Sequence, residues 1–145
     1  MNSSSISYRS ICPVSSSLDI FGDKWTLLVV RDILIFRKST FKEFASSIEH
    51  IATNILSNRL SKLTELNIIT KEKSKHNRKV NIYKITPKGL QLLPILLEIT
   101  LWFYNNENPE DNNREIWNIL QTYQKDKDAF IERFIEQYPK DLVAK

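Results

Sequence analysis

From Leu18 to about Phe36 the apolar residues Ile20, Phe21, Trp25, Leu28, Val29 and Ile33, with Asp32 among them, recur at helical spacing and no proline interrupts them. That pattern predicts a single buried first helix. Arg37-Lys38-Ser39 is a polar break. Thr40, with Glu43 three residues later, then forms the capping-box start of a short second helix carrying Phe41, Phe44 and Ala45. A turn near Glu49 and His50 leads into a third helix over Thr53–Leu66, where Leu56, Leu60, Leu63 and Leu66 trace one apolar face. Asn54, Ser57, Asn58, Ser61 and Lys62 lie largely off that face. Asn67 stands where a helix ends in a left-handed residue, a role that asparagine fills in place of glycine.

Two short β-prone runs follow, Ile68-Ile69-Thr70 and Val80 to Ile85, joined by the polar stretch Lys71 to Lys79 with His76 and Asn77 at its tip. They predict a hairpin with a charged end. Thr86-Pro87 is an N-cap followed by a first-turn proline, and the largely apolar run Leu90–Tyr104 predicts a helix kinked at Pro94. One face of that helix can pack on its own domain. A chain of this length has little left to cover the other, so a symmetric dimer is expected, with Leu93, Leu97, Leu101, Trp102 and Tyr104 at its interface. An acidic, Asn-rich linker, Asn105 to Asn113, precedes two amphipathic stretches, Glu115–Tyr123 and Asp128–Tyr138, expected to pack back on the dimer. The predicted fold is mostly α with a small β-hairpin (α+β). It divides into an N-terminal arm at 1–17, a central domain at 18–89 and a C-terminal helical dimerisation region with tail at 90–145.

Composition narrows this picture. The chain has 145 residues and only two glycines, which suits one helical domain better than a sandwich of many turns. The Ser-rich start lacks a signal peptide's apolar core and no long uncharged apolar run occurs, so a cytoplasmic protein without a membrane span is expected. A single cysteine, Cys12, excludes an intrachain disulfide framework, and two distant histidines make no metal site. Charge is uneven: residues 1–104 hold 15 Lys and Arg against 8 Asp and Glu, whereas residues 105–145 hold 6 against 9. A polyanion would sit on the basic part. No Gly-rich phosphate loop, nucleophile elbow or H-E-x-x-H motif is present, and the lone thiol has no plausible base nearby, so neither an enzyme nor a cofactor is expected. Trp25, Trp102 and Trp117 read as core or interface residues.

Two helices joined by a turn, a helix with an uncommitted polar face and a basic hairpin follow one another in the order of a winged helix-turn-helix. The third helix would enter a major groove with Thr53, Asn54, Ser57, Asn58, Arg59 and Lys62, of which Asn54, Ser57 and Asn58 are the base-reading candidates. In the hairpin Lys71, Lys73, Lys75, His76, Asn77, Arg78 and Lys79 would meet phosphates or a minor groove, and Ser39, Thr40 and Lys42 at the second helix are further phosphate candidates. Each feature alone also has an ordinary reading as solvated surface. Their adjacency and the charge asymmetry favour double-stranded DNA. A winged-helix module that docks proteins is the alternative, and no aromatic platform supports RNA binding.

Cys12-Pro13-Val14, the run Gly22-Asp23-Lys24-Trp25-Thr26-Leu27-Leu28 with Arg31-Asp32, the segment Ile51 to Leu60, and Tyr83-Lys84-Ile85-Thr86-Pro87-Lys88-Gly89 together resemble the HxlR-type family of bacterial winged helix-turn-helix regulators. The resemblance runs from Cys12 to about Tyr104. It implies a dimer held by the first and last core helices, recognition by the Thr53–Leu66 helix, and regulation of nearby or own promoters, more often as repressor. It also implies a role for Cys12, since in some members a cysteine just before proline senses oxidants by forming a disulfide across the dimer or a mixed disulfide with a small thiol. The competing reading of Cys12 is a small buried hydrophobe. An oxidant or a small molecule is thus the effector class left open.

Overall fold

The computed structural model describes residues 6–107 and 114–145. The helix predicted from Leu18 to Phe36 is two helices, α1 (Pro13–Phe21) and α2 (Thr26–Leu34). Backbone chemistry between them explains the break. The Gly22 amide closes α1 on Leu18 O at 2.8 Å, and a Cβ at Gly22 would lie 2.4 Å from that oxygen. Asp23 then starts the next helix, its carboxylate accepting from the amides of Trp25 and Thr26 at 3.0 Å each and from the Thr26 hydroxyl at 2.5 Å. Periodicity does not see this interruption, because the apolar stripe continues through it. Only α2 is buried, through Thr26, Val29, Val30, Asp32, Ile33 and Leu34, whereas α1 buries none of its residues. Helix α1 also begins inside the stretch expected as an arm, with Pro13 in its first turn and Cys12 at its N-cap.

Helix α3 (Phe41–Ala45) starts with the expected capping box of Thr40 and Glu43. Helix α4 (Thr53–Glu65) buries Leu56, Leu60 and Leu63, and ends before Asn67, which has φ 56°. Strands β1 (Ile69–Lys73) and β2 (Asn81–Ile85) form an antiparallel hairpin with Ile69 opposite Ile85 and Lys73 opposite Asn81. Thr40 bridges Ile82, so the entry to α3 extends the sheet by one residue pair. Thr86 caps α5 (Pro87–Leu90): its hydroxyl accepts from Gly89 N at 3.0 Å and turns its proton toward Asn67 O and Ile68 O at 2.7 and 2.9 Å. Gly89 lets α5 meet the hairpin, since a Cβ there would lie 2.3 Å from Ile68 O. The core between these elements includes Val30, Leu34, Phe44, Leu56, Leu63, Ile85 and Leu93, all essentially inaccessible.

Pro94 does not kink a long helix. The apolar run breaks after α5 and resumes as α6 (Leu93–Glu107), with Pro94 second in the new helix, where its missing N–H costs nothing. Leu93, Leu97 and Leu101, expected between two copies of the chain, instead face the chain's own core. With a spacing of four residues they form the inward stripe of α6. The outward stripe is Ile99, Trp102 and Phe103, which are 52%, 62% and 46% exposed. Tyr104 is half-buried, its ring 4.9 Å from that of Trp117. Of the linker expected at Asn105–Asn113, Asn105 to Glu107 instead continue α6, and residues 108–113 lie outside the described residues.

The tail folds onto its own chain. Helices α7 (Arg114–Lys125) and α8 (Lys127–Gln137) occupy the two predicted amphipathic stretches. Tyr123 donates to Glu98 at 2.7 Å, and Lys127 pairs with the same carboxylate at 2.6 Å. The rings of Tyr123, Phe130, Phe134 and Tyr138 follow one another at 5.7, 6.0 and 5.9 Å. Buried Tyr138 donates to Ile33 O at 3.0 Å, and the Arg37 guanidinium lies 3.9 Å above its ring. After a 3-10 turn (Lys140–Leu142), Val143 pairs in parallel with Ile85 and the Ala144 amide donates to Ile85 O at 2.7 Å. Among the described residues no helix is long and apolar enough to cross a membrane.

Gly89→Ala is expected to lower stability by about 1–3 kcal/mol, because the added methyl meets a backbone oxygen that cannot rotate away. Urea midpoints of the two proteins check this, and equal midpoints would contradict the close approach.

Candidate nucleic-acid interface

Helix α4 presents a polar face because its apolar residues are used up by the core. Leu56, Leu60 and Leu63 point inward, and Thr53, Asn54, Ser57, Asn58 and Ser61 remain exposed. Helix α3 stands before it, joined by a turn in which His50 has φ 53°. The hairpin loop beyond β1 is shaped by its own side chains. Ser74 Oγ accepts from the amides of His76 and Asn77 at 3.3 and 3.4 Å, and Asn77 Oδ1 accepts from Lys79 N at 3.1 Å. Lys73, Lys75, His76, Asn77, Arg78 and Lys79 are all exposed, as is Lys71. Glu72, the one acid in this segment, pairs with Lys84 at 2.7 Å.

Not every candidate stands open to a ligand. Arg59 is half-buried with Nε 2.9 Å from the Asp23 carboxylate, and its Nη1 donates to Asn58 Oδ1 at 3.1 Å. Lys62 Nζ donates to Asp19 O at 2.8 Å. Both therefore tie α4 to the C-terminal end of α1 and the turn after it. Burial would raise the Asp23 carboxyl, but hydrogen bonds from Thr26 and Trp25 and the nearby Arg59 outweigh it and hold the group below its usual range. Ser39 and Thr40 are half-buried and committed to the fold: Ser39 O accepts from Tyr83 N at 2.7 Å, and both their amides donate to Glu43 at 2.8 Å. Lys42 is exposed.

One structural group, Asp32, stood on the apolar stripe in the sequence without being given a role. The Asp32 carboxylate is almost wholly buried. It accepts from Arg31 Nη2 at 2.7 Å, from Lys38 Nζ at 3.0 Å and from the Ser47 hydroxyl. Arg31 reaches onward to Glu49 at 2.5 Å, so α2, the end of α3 and the turn before α4 are joined by one network. A carboxylate on an otherwise apolar helix face was the available signal, since a buried charge must find partners. Arg37, with φ 57°, is a second such residue, and burial pushes its guanidinium below the usual arginine range.

Cys12 is exposed at the N-terminus of α1, not packed as a hydrophobe. The guanidinium of Arg9, three residues before it, is paired with Asp19. Among the described residues no group of three or more His, Cys, Asp or Glu side chains is placed to hold a metal ion.

The family profile of the HxlR-like helix-turn-helix matches residues 20–111. The chain belongs to this family. That places it among transcription regulators of the helix-turn-helix class. An HTH-type transcriptional regulator of Bacillus subtilis, YvaP, itself uncharacterized, is 33% identical over 94 residues, covering 63% of this chain and 85% of YvaP. The solved structure of PA1607 superposes with a TM-score of 0.62 at 33% identity, over 73% of this chain and 72% of that one. The reduced form of the transcriptional regulator YodB from B. subtilis superposes at 0.55 with 26% identity, over 70% of this chain and all of YodB; a diamide-treated form of YodB gives 0.51. The wing hairpin, α4 and the α2–α3 scaffold all lie within the residues that the HxlR-like profile matches.

The hydrogen bond from Arg31 holds the Glu49 carboxyl below its ordinary value of 4.5, against the opposing effect of burial. A carboxylate depressed on folding contributes stability that is complete above its unfolded value and is lost as pH falls through the lower, folded one. Glu49→Gln is thus expected to cost about 1 kcal/mol at neutral pH, with the gap to the parent protein closing as pH falls below 4.5. Urea titrations at several pH values check this; a gap that stays constant would assign Glu49 no role in acid sensitivity.

Proposed function

We propose that the protein is a sequence-specific DNA-binding regulator, acting as a homodimeric repressor on a near-palindromic operator. The observation that carries this reading is the exposed polar face of α4 followed by an exposed cationic wing whose one acid, Glu72, is paired with Lys84, on a helix-turn-helix scaffold. Asn54, Ser57 and Asn58, with Thr53, read base edges in a major groove. Lys73, Lys75, Arg78 and Lys79, with His76 and Asn77, meet phosphates or a minor groove, and Lys42 meets the backbone at α3. Arg59 and Lys62 contribute mainly by holding α4 at its angle and by adding positive potential, since their polar groups are already engaged within the chain.

The dimer uses two apolar stripes. On α1 and just before it, exposed Ile11, Val14 and Leu18 recur at helical spacing; on α6, Ile99, Trp102 and Phe103 do the same. A second copy covers both, and with Leu93, Leu97 and Leu101 inside the core, Trp102 is the anchor. Cys12 lies between Ile11 and Val14 at the edge of this surface, where two copies bring two thiols near each other. An oxidant such as diamide would take two electrons and two protons from such a pair and leave a sulfur–sulfur bond across the dimer. The existence of reduced and diamide-treated structures of the relative YodB supports a redox reading for Cys12.

Fluorescence anisotropy on the duplex upstream of its own gene, against a scrambled duplex at fixed salt, tests the reading. The native duplex is expected to bind more tightly, and Asn54→Ala to lose about 1–3 kcal/mol on that duplex alone. Lys75→Ala is expected to weaken both duplexes and to reduce the slope of log affinity against log salt by about 0.9. Equal binding of both duplexes by the parent protein would favour a winged-helix interaction module instead. In sedimentation, Trp102→Glu is expected to give monomers, and Cys12→Ser is expected to abolish any response to diamide. A Trp102→Glu dimer would move the interface elsewhere.

A further inference from the structure

Between α2, α6 and α7 lies a cavity of about 260 Å³, lined by Leu27, Leu28 and Arg31 of α2, Leu96 and Thr100 of α6, and Ile119 of α7. The polar groups on its wall are already occupied. The Arg31 guanidinium is bound to Asp32 at 2.7 Å and to Glu49 at 2.5 Å, and the Thr100 hydroxyl donates to Leu96 O at 2.7 Å. A charged ligand would therefore lose its hydration without gaining a partner. An apolar cavity of about 150 Å³ accepts benzene, so this larger space suits a one- or two-ring molecule.

We propose that this cavity binds a small, uncharged, mainly apolar ring compound, and that Arg31 transmits its occupancy to α4. Arg31 lines the cavity and also holds Glu49, which precedes the left-handed His50 at the entry to the recognition helix. A ligand that shifts Arg31 changes that tether, and with it the angle at which α4 leaves the turn. The coupling rests on the DNA-binding reading above; the binding site does not.

The full-length protein, titrated with the uncharged fluorophore N-phenyl-1-naphthylamine, is expected to show a saturable rise in emission at one probe per chain. Ile119→Trp and Leu27→Phe each fill the cavity and are expected to weaken probe binding by about tenfold or more, with circular dichroism unchanged. The second variant keeps the test sharp if the first does not fold. Saturating probe is expected to change operator affinity several-fold, and Glu49→Gln to remove that change. No saturable signal, or parent-like binding by a folded cavity-filled variant, would overturn the site. Probe binding that disappears as protein concentration rises through the dimerisation range would also overturn it, by placing a second copy's side chain in the cavity. Probe binding that leaves operator affinity unchanged would overturn the coupling alone, and the titration remains decisive even if no duplex is bound.

Discussion

A carboxylate buried on the core-facing side of α2 has to be neutralised, and much of this molecule's geometry follows from how that is done. Asp32 draws Arg31, Lys38 and Ser47 to itself, and Arg31 extends the network to Glu49. Lys38 lies in the polar break after α2, Ser47 just beyond α3, and Glu49 in the turn before α4. Replacing such a cluster with apolar residues can be neutral in stability, whereas removing one partner leaves a buried charge uncompensated. What the cluster supplies here is position: it ties the chain just after α3 and the turn before α4 to α2.

The polar surface of α4 is a remainder left by packing. Leu56, Leu60 and Leu63 commit one side of α4 to the core, and Arg59 and Lys62 commit part of its flank to Asp23 and Asp19. Thr53, Asn54, Ser57 and Asn58 are what remains at its N-terminal end, while Gly89 and Thr86 hold α5 tightly against the base of the hairpin. The tail strengthens the same base. Val143 and Ala144 join β2 at Ile85, and Tyr138 is anchored on Ile33 O, so α7 and α8 belong to the same folded unit as the winged domain.

The elements whose signals are local were legible in the chain. The capping box of Thr40 and Glu43, the left-handed stop at Asn67, the Thr86-Pro87 start and both terminal amphipathic helices are written in neighbouring residues. The break at Gly22-Asp23 was hidden because the apolar stripe runs through it while the backbone hydrogen bonds do not. Pro94 was misread for a related reason. A proline in an apolar run is compatible with a kink inside one helix or with the first turn of a new one, and the choice depends on how tightly α5 is held to the hairpin.

By itself the sequence determined most of the helices, the hairpin and the basic face, which rest on periodicity, capping and composition, and the membership in a helix-turn-helix family, which rests on its spaced motifs. Only the tertiary structure decided which face of α6 is inside, that Arg59 and Lys62 are tethered, that Cys12 is exposed, and that the tail closes on its own chain. Those outcomes depend on partners distant in the chain, as with Tyr138 and Ile33 or Arg31 and Glu49, and the spacing of a single helix carries no record of them.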